Sequence, residues 1–287
     1  MKNILFISLI AISFLTACDN TDDLSNLDLN LTGLEDLGAG YAYEGWVIVD
    51  GSPVSTGTFT VDGSGTLSQT SFEVDAANLD AATMFVLSIE PSPDNDPAPA
   101  ATKILSGAFS GASANLSTGT VGDDFEGAAG KYFLAAPTGS GDASENFSGL
   151  WFIDNTSGSM MPGLNLPTLN AGWKYEGWVV IDGNPLSTGT FSAGDAADEG
   201  APFSGTNPGP PFPGEDFLLN APSGLTFPTD LRGRTVVVSI EPTPDNSPAP
   251  FVLKPLLHNI SATLGHATAD EMMNNTTASF PKGSVMR

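Results

Sequence analysis

The chain has 287 residues, with 33 Asp or Glu against nine Lys or Arg, and carries a formal charge of −24. A field of that sign repels polyanions, which argues against nucleic acid or anionic headgroups as partners. Hydrophobic residues make up 40% and charged residues 15%, enough apolar material for real cores and too little charge for a disordered chain. A single cysteine rules out a disulfide framework.

In chain order, Met1-Lys2-Asn3 is a short basic start to an apolar run from Ile4 to Leu15. About a dozen apolar residues are too few to span a bilayer, so residues 1–17 read as a cleaved export signal. Leu15-Thr16-Ala17-Cys18 resembles the lipobox of bacterial lipoproteins. The resemblance implies that Cys18 becomes the acylated first residue of the mature protein, anchored to a membrane and not spanning it. Residues 18–38 are expected to form an acidic, flexible tether that docks its leucines on the first domain. Asp19, Asp22 and Asp23 beside the cysteine resemble the surface-export signal of Bacteroidetes-type lipoproteins, which favours the outer membrane or cell surface. In other bacteria an aspartate at this place means inner-membrane retention, so the leaflet stays open.

The remainder says nearly the same thing twice. Tyr43-Glu44-Gly45-Trp46 through Asp50-Gly51 returns as Tyr175-Glu176-Gly177-Trp178 through Asp182-Gly183, and Ser88-Ile89-Glu90-Pro91 returns as Ser239-Ile240-Glu241-Pro242. Recurrence at this level predicts two copies of one module, repeat 1 over 39–155 and repeat 2 over 173–287, with 156–172 as linker. Short apolar runs between Gly and Pro turns predict strands near 43–49, 55–61, 71–74, 84–89, 103–109, 131–135 and 149–153. No convincing amphipathic helix accompanies them. The fold class expected is all-β, two tandem β-sandwich (Ig-like) modules. Repeat 2 carries about 19 extra residues in a Pro-rich stretch, Ala201 to Pro222, read as a loop because proline cannot join a ladder. Leu150-Trp151-Phe152 has no counterpart in Met272 to Arg287. Either repeat 2 lacks a last hairpin, or strands from the end of repeat 1 complete a sheet shared by both copies.

The pattern Tyr-x-Gly-Trp-x-x-x-Asp-Gly-x-Pro-x-Ser-x-Gly-x-Phe, followed by a strand ending in Ser-Ile-Glu-Pro and then Pro-Ala-Pro, resembles the extracytoplasmic C-terminal domain of anti-sigma-K factors. It covers about 41–107 and again 173–257. The resemblance implies a β-sandwich outside the cytoplasm that receives a signal or takes part in regulated proteolysis. The chain shows no sigma-binding helices and no zinc motif, so the resemblance bears on fold more than on activity.

Chemistry shared by both copies must use residues present in both. His258 and His266 occur in repeat 2 alone, which removes a shared Ser/His nucleophile. The shared carboxylates are Glu44/Glu176, Asp50/Asp182, Glu90/Glu241 and Asp94/Asp245. Glu90 ends an apolar strand just before a proline. Its first expected role is accepting N–H bonds from the following loop; the second is oxygen ligation of Ca²⁺ with Asp94 and Asp96, although no D-x-D-x-D-G loop is present. Trp46 and Trp178 are read as core, with stacking on a sugar as the alternative. No metal site and no catalytic residue is assigned. The function expected is a non-catalytic, lipid-anchored envelope protein that binds or senses an unknown protein or glycan through Glu90, Asp94, Asp96, Glu241, Asp245 and the two tryptophans. The competing readings are an accessory part of an anti-sigma system, a structural envelope protein and, last, a carbohydrate-active enzyme.

Overall fold

The computed structural model describes residues 23–123, 125–245 and 247–287. The export signal, Cys18 and the acidic residues up to Asp22 lie outside the described residues.

Alternation decides the first element. In β1 (Leu24–Thr32), Leu27, Leu29 and Leu31 are buried while Asn26, Asp28 and Asn30 are exposed, the period of two that a half-buried strand needs. The flexible tether expected over 18–38 is therefore corrected from Leu24 onward. Its leucines are not loosely docked but belong to a strand held on both sides. Repeat 1 continues with β2 (Tyr41–Val49), β3 (Ser52–Phe59), β4 (Ser71–Asp75), β5 (Met84–Pro91), β6 (Lys103–Ala108) and β7 (Ser113–Leu116). A short helix that the strand pattern did not anticipate, Ala76–Ala81, follows β4, capped by the Asp75 carboxylate, which accepts from Asn78 N at 2.8 Å. Next come β8 (Ala129–Leu134), β9 (Gly149–Trp151), β10 (Ile153–Asp154), β11 (Met161–Pro162) and β12 (Leu164–Asn165). Repeat 2 supplies β13 (Trp173–Ile181), β14 (Asn184–Phe191), β15 (Gly214–Asp216), β16 (Thr235–Pro242), β17 (Leu256–Asn259), β18 (Asp270–Asn274) and β19 (Lys282–Met286).

The repeated words fold alike. One sheet has the order β3-β2-β5-β6, and the same order recurs as β14-β13-β16-β17. In both hairpins the Asp-Gly turn has two residues in the left-handed region, Asp50 and Gly51 at φ 48° and 80°, Asp182 and Gly183 at 51° and 83°. That is the turn whose twist suits a two-residue hairpin. Both inner strands shift register between glycine and tryptophan, at Gly45/Trp46 and Gly177/Trp178. A Cβ at Gly45 would come within 2.5 Å of Thr56 Oγ1, so only glycine fits that crowded step.

The facing layer is assembled less obviously. In the first sandwich it runs β4-β1-β19-β7, so residues 282–286 lie between β1 and β7. In the second it runs β15-β9-β8-β18, with β17 joining β18 to make one continuous nine-stranded sheet that includes β12 beside β8. The strand following β7 in sequence therefore serves the second sandwich, and the strand following β18 serves the first. The expected division at 155 does not separate the sandwiches, because β8 and β9 both lie in the second. Leu150 and Trp151 on β9 occupy the place that β1 takes in the first sandwich, so their counterpart is the 24–32 strand and not the 272–287 tail. The linker expected over 156–172 is likewise tied down, β11 pairing with β10 and β12 with β8.

One apolar core runs through both sandwiches, from Leu27 and Phe85 to Phe152, Val238 and Val285. Phe59 meets Phe72 across the first sandwich with ring centroids 6.1 Å apart, and Phe152 meets Phe191 in the second at 6.4 Å. Val285 is fully buried. Val285→Ala is expected to cost about 2 kcal/mol from lost burial and the cavity left behind. Hydrogen exchange should show the loss of protection concentrated in 24–32 and 113–116, far from β19 in sequence, with 173–181 least affected.

Candidate functional site

The two Glu-Pro strand ends carry the same relay. In the first sandwich Trp46 Nε1 donates to Ser88 Oγ at 2.8 Å, the Ser88 hydroxyl donates to Glu90, and Ala100 N donates to Glu90 Oε1 at 2.8 Å. In the second Trp178 Nε1 donates to Ser239 Oγ at 2.7 Å, Ser239 donates to Glu241, and Phe251 N donates to Glu241 Oε1 at 2.9 Å. Each carboxylate thus fastens the loop that follows its own strand, across 10 residues in both cases. The bulge in β2 and β13 sits just before the tryptophan and sets its indole toward the serine. Trp46 and Trp178 are buried, with their N–H groups used inward. A second shared relay runs from the Ser55 hydroxyl to Glu44 and from the Ser187 hydroxyl to Glu176.

The loop acids are occupied locally. Asp94 Oδ1 accepts from Asp96 N at 2.9 Å, Asp96 Oδ1 from Ala98 N at 3.0 Å, and Asp245 Oδ1 from Ser247 N at 2.8 Å, each shaping its own turn. Among the described residues no three His, Cys, Asp or Glu side chains gather as a metal-binding group. His258 Nε2 lies 3.5 Å from Asp270, while His266 packs edge-on against Phe147, so the two histidines serve different neighbourhoods.

The tertiary structure creates a cavity that neither repeat has alone. The segment between β1 and β2 and the first residue of β2 bring Glu35, Leu37 and Tyr41 against the β16 strand end and its loop, Glu241, Asp245 and Phe251, around about 390 Å³. That volume falls within the usual range for a small-molecule site. Burial pushes Glu241 from its ordinary 4.5 up to about 8, against the Ser239 and Phe251 bonds that favour its charged form. Burial likewise raises Glu35 to about 7, opposed chiefly by the Lys254 charge, and Glu176 to about 7, opposed by Ser187. Glu90 is raised as well, first by desolvation. Of the sequence candidates, Glu241 and Asp245 meet at this cavity. Glu90, Trp46 and Trp178 do not line it, and Asp94 and Asp96 lie on the other repeat's loop.

A second buried acid group escaped the sequence reading. Asp216 accepts from Trp151 Nε1 at 2.7 Å, Thr138 N at 2.7 Å and Thr138 Oγ1 at 2.5 Å, and neighbouring Glu215 accepts from the Ser204 hydroxyl. Both carboxylates are fully buried, and burial raises Glu215 and nearby Asp198 to about 7. The Pro-rich stretch 201–222 is therefore not wholly a loop. Gly214–Asp216 pairs with β9 at the sheet edge, a position that Pro208 to Pro213 stop just short of. The pair belongs to repeat 2 alone, outside the carboxylates common to both copies. The only signal was two adjacent acids running into the apolar Phe217.

Glu35, Glu176, Asp198, Glu215 and Glu241 all hold their protons more tightly folded than unfolded. Their contribution is fully present below about pH 4 and is lost as pH rises through 7 to 8. The melting temperature is expected to fall steadily from pH 5 to pH 8 in calorimetry. Glu241→Gln, which stays neutral, should flatten the upper part of that slope. A melting temperature that climbs over this range would contradict the burial of these groups.

Residues 20–104 match the family described as anti-sigma-K factor rskA, C-terminal. The match spans under a third of the chain and covers β1 through β5, including Trp46, Ser88 and Glu90. No curated protein and no solved structure matches the chain. Residues 20–104 are thus similar to the C-terminal domain of an anti-sigma-K factor.

Proposed function

We propose that this chain is a lipid-anchored, exported protein of the bacterial envelope that binds or senses a ligand without catalysis. It is built from two copies of an anti-sigma-K-like β module. The observation that carries the binding reading is the cavity between the two halves, walled by Leu37, Tyr41 and Phe251 and edged by carboxylates. The shared serines, tryptophans and glutamates that could serve chemistry are bonded to one another and to loop N–H groups, which supports a binding role over a catalytic one. Among the described residues no helix is long and apolar enough to cross a membrane, so on this reading the anchor is the lipid on Cys18. The match over 20–104 favours the second reading, an accessory component of an anti-sigma regulatory system.

Two measurements test this. Cys18→Ala is expected to move the protein from the membrane fraction to the soluble fraction and to abolish labelling by a palmitate analogue; retention of label would refute lipidation at this residue. Full-length protein in detergent should capture a specific component from native envelopes. Bulky substitution into the cavity, Leu37→Trp, should cut that capture at least about tenfold. Capture unaffected by the substitution would place binding elsewhere, and no capture at all would leave a structural envelope role.

A further inference from the structure

We propose that the cavity between the two halves receives a monocationic amine with a compact apolar body, its ammonium group seated on Glu241. This rests on the reading that the cavity is a ligand site. Glu241 is 1% exposed and lines the cavity. Its Oε1 takes the Ser239 hydroxyl and the Phe251 N–H, while its Oε2 is buried with no hydrogen-bond partner. A carboxylate oxygen left bare at such depth costs free energy that a donor from outside can recover. No such orphan oxygen is found on its counterpart Glu90, which lines no part of the cavity.

The other charged groups at the cavity have the same sign. Glu35, Asp36 and Asp245 are all carboxylates, and among the described residues no Lys, Arg or His lines it. Leu37, Tyr41 and Phe251 offer apolar wall for a hydrocarbon body. Every ionisable side chain lining the cavity is an acid, so charge complementarity disfavours an anion and selects a cation. Lys254 does not line the cavity; burial lowers its affinity for a proton, while Glu35 and Glu241 favour its charged form.

Proton linkage gives the site a signature. Glu241 is faced by Glu176 from β13, Asp245 from its own loop and Lys254 beyond, and Glu35 faces Lys254 from the first half. With burial holding protons on Glu241 and Glu35 near neutrality, arrival of an ammonium ionises a carboxyl and releases a proton. Affinity therefore rises with pH through the range up to about 8 and levels above it, by at most about tenfold per pH unit for one proton.

Isothermal titration of the full chain in detergent tests this with Nα-acetyl-lysine methylamide and its neutral isostere Nα-acetyl-norleucine methylamide. The measurement is made at pH 6, 7 and 8 in two buffers of different ionisation enthalpy. The lysine probe is expected to bind with proton release and at least about tenfold more tightly than norleucine. Glu241→Gln should remove most of that preference and the proton release, while Glu73→Gln, an exposed charge on β4, should leave both intact. Should Glu241→Gln fail to fold, Asp245→Asn is expected to weaken the lysine probe several-fold. Equal affinity for the two probes would overturn the cationic assignment while leaving the cavity a binding site. Binding of neither probe would overturn it too, and capture from envelopes would then judge the cavity separately. An unaltered preference in the folded Glu241 or Asp245 variants would overturn the seat.

Discussion

Backbone amides inside a sandwich must find partners, and this requirement fixes the architecture. Between β1 and β7 lies a gap one strand wide. Residues 282–286 fill it, with Val285 opposite Leu29 on one side and Ala114 on the other. The equivalent gap between β9 and β18 is filled by β8. Because each gap is closed by a strand that follows the other sandwich in sequence, neither sandwich is complete without the other. The main core running through both sandwiches and the fixed seam between the halves follow from that exchange.

The seam is where symmetry ends. Both halves build the same Trp-Ser-Glu relay, and in each it staples a proline-rich loop to its strand. The 35–41 segment gathers both strand ends around one cavity, but of the two relay glutamates Glu241 lines it and Glu90 does not. In the second half the relay's glutamate becomes the floor of the cavity, its far oxygen unpaired and its proton held by desolvation. Identical local chemistry thus has different consequences according to what covers it.

Burying so many carboxylates in a chain of charge −24 has an electrostatic logic. A buried acid that keeps its proton adds no charge to a crowded anionic field and retains a donor for internal bonding. Asp216 and Glu215 lash the proline-rich stretch to Thr138, Trp151 and Ser204, and Glu241 fastens its loop. These groups hold the frame together in mildly acidic surroundings and load it with strain toward alkaline pH, so fold and acidity are coupled throughout.

Much of the fold was written locally. Near-continuous apolar runs, buried on both faces, mark β2, β5 and β16, and the Asp-Gly pairs at 50–51 and 182–183 turn the hairpins β2–β3 and β13–β14, since two residues with positive φ suffice to turn a chain. The repeated Glu-Pro words gave the loop-fastening role of Glu90 and Glu241, because the partner N–H lies only 10 residues on. What sequence alone could not settle depends on contacts across long separations. The 24–32 segment reads as a leucine-dotted tether until β4 and β19 pair with it, and β15 reads as a proline loop until β9 lies beside it. The cavity joins Glu35 to Glu241, and no local pattern encodes that distance. Periodicity reports which face of a strand is apolar; which strand covers it is decided only when the whole chain closes, by the requirement that every buried amide be paired.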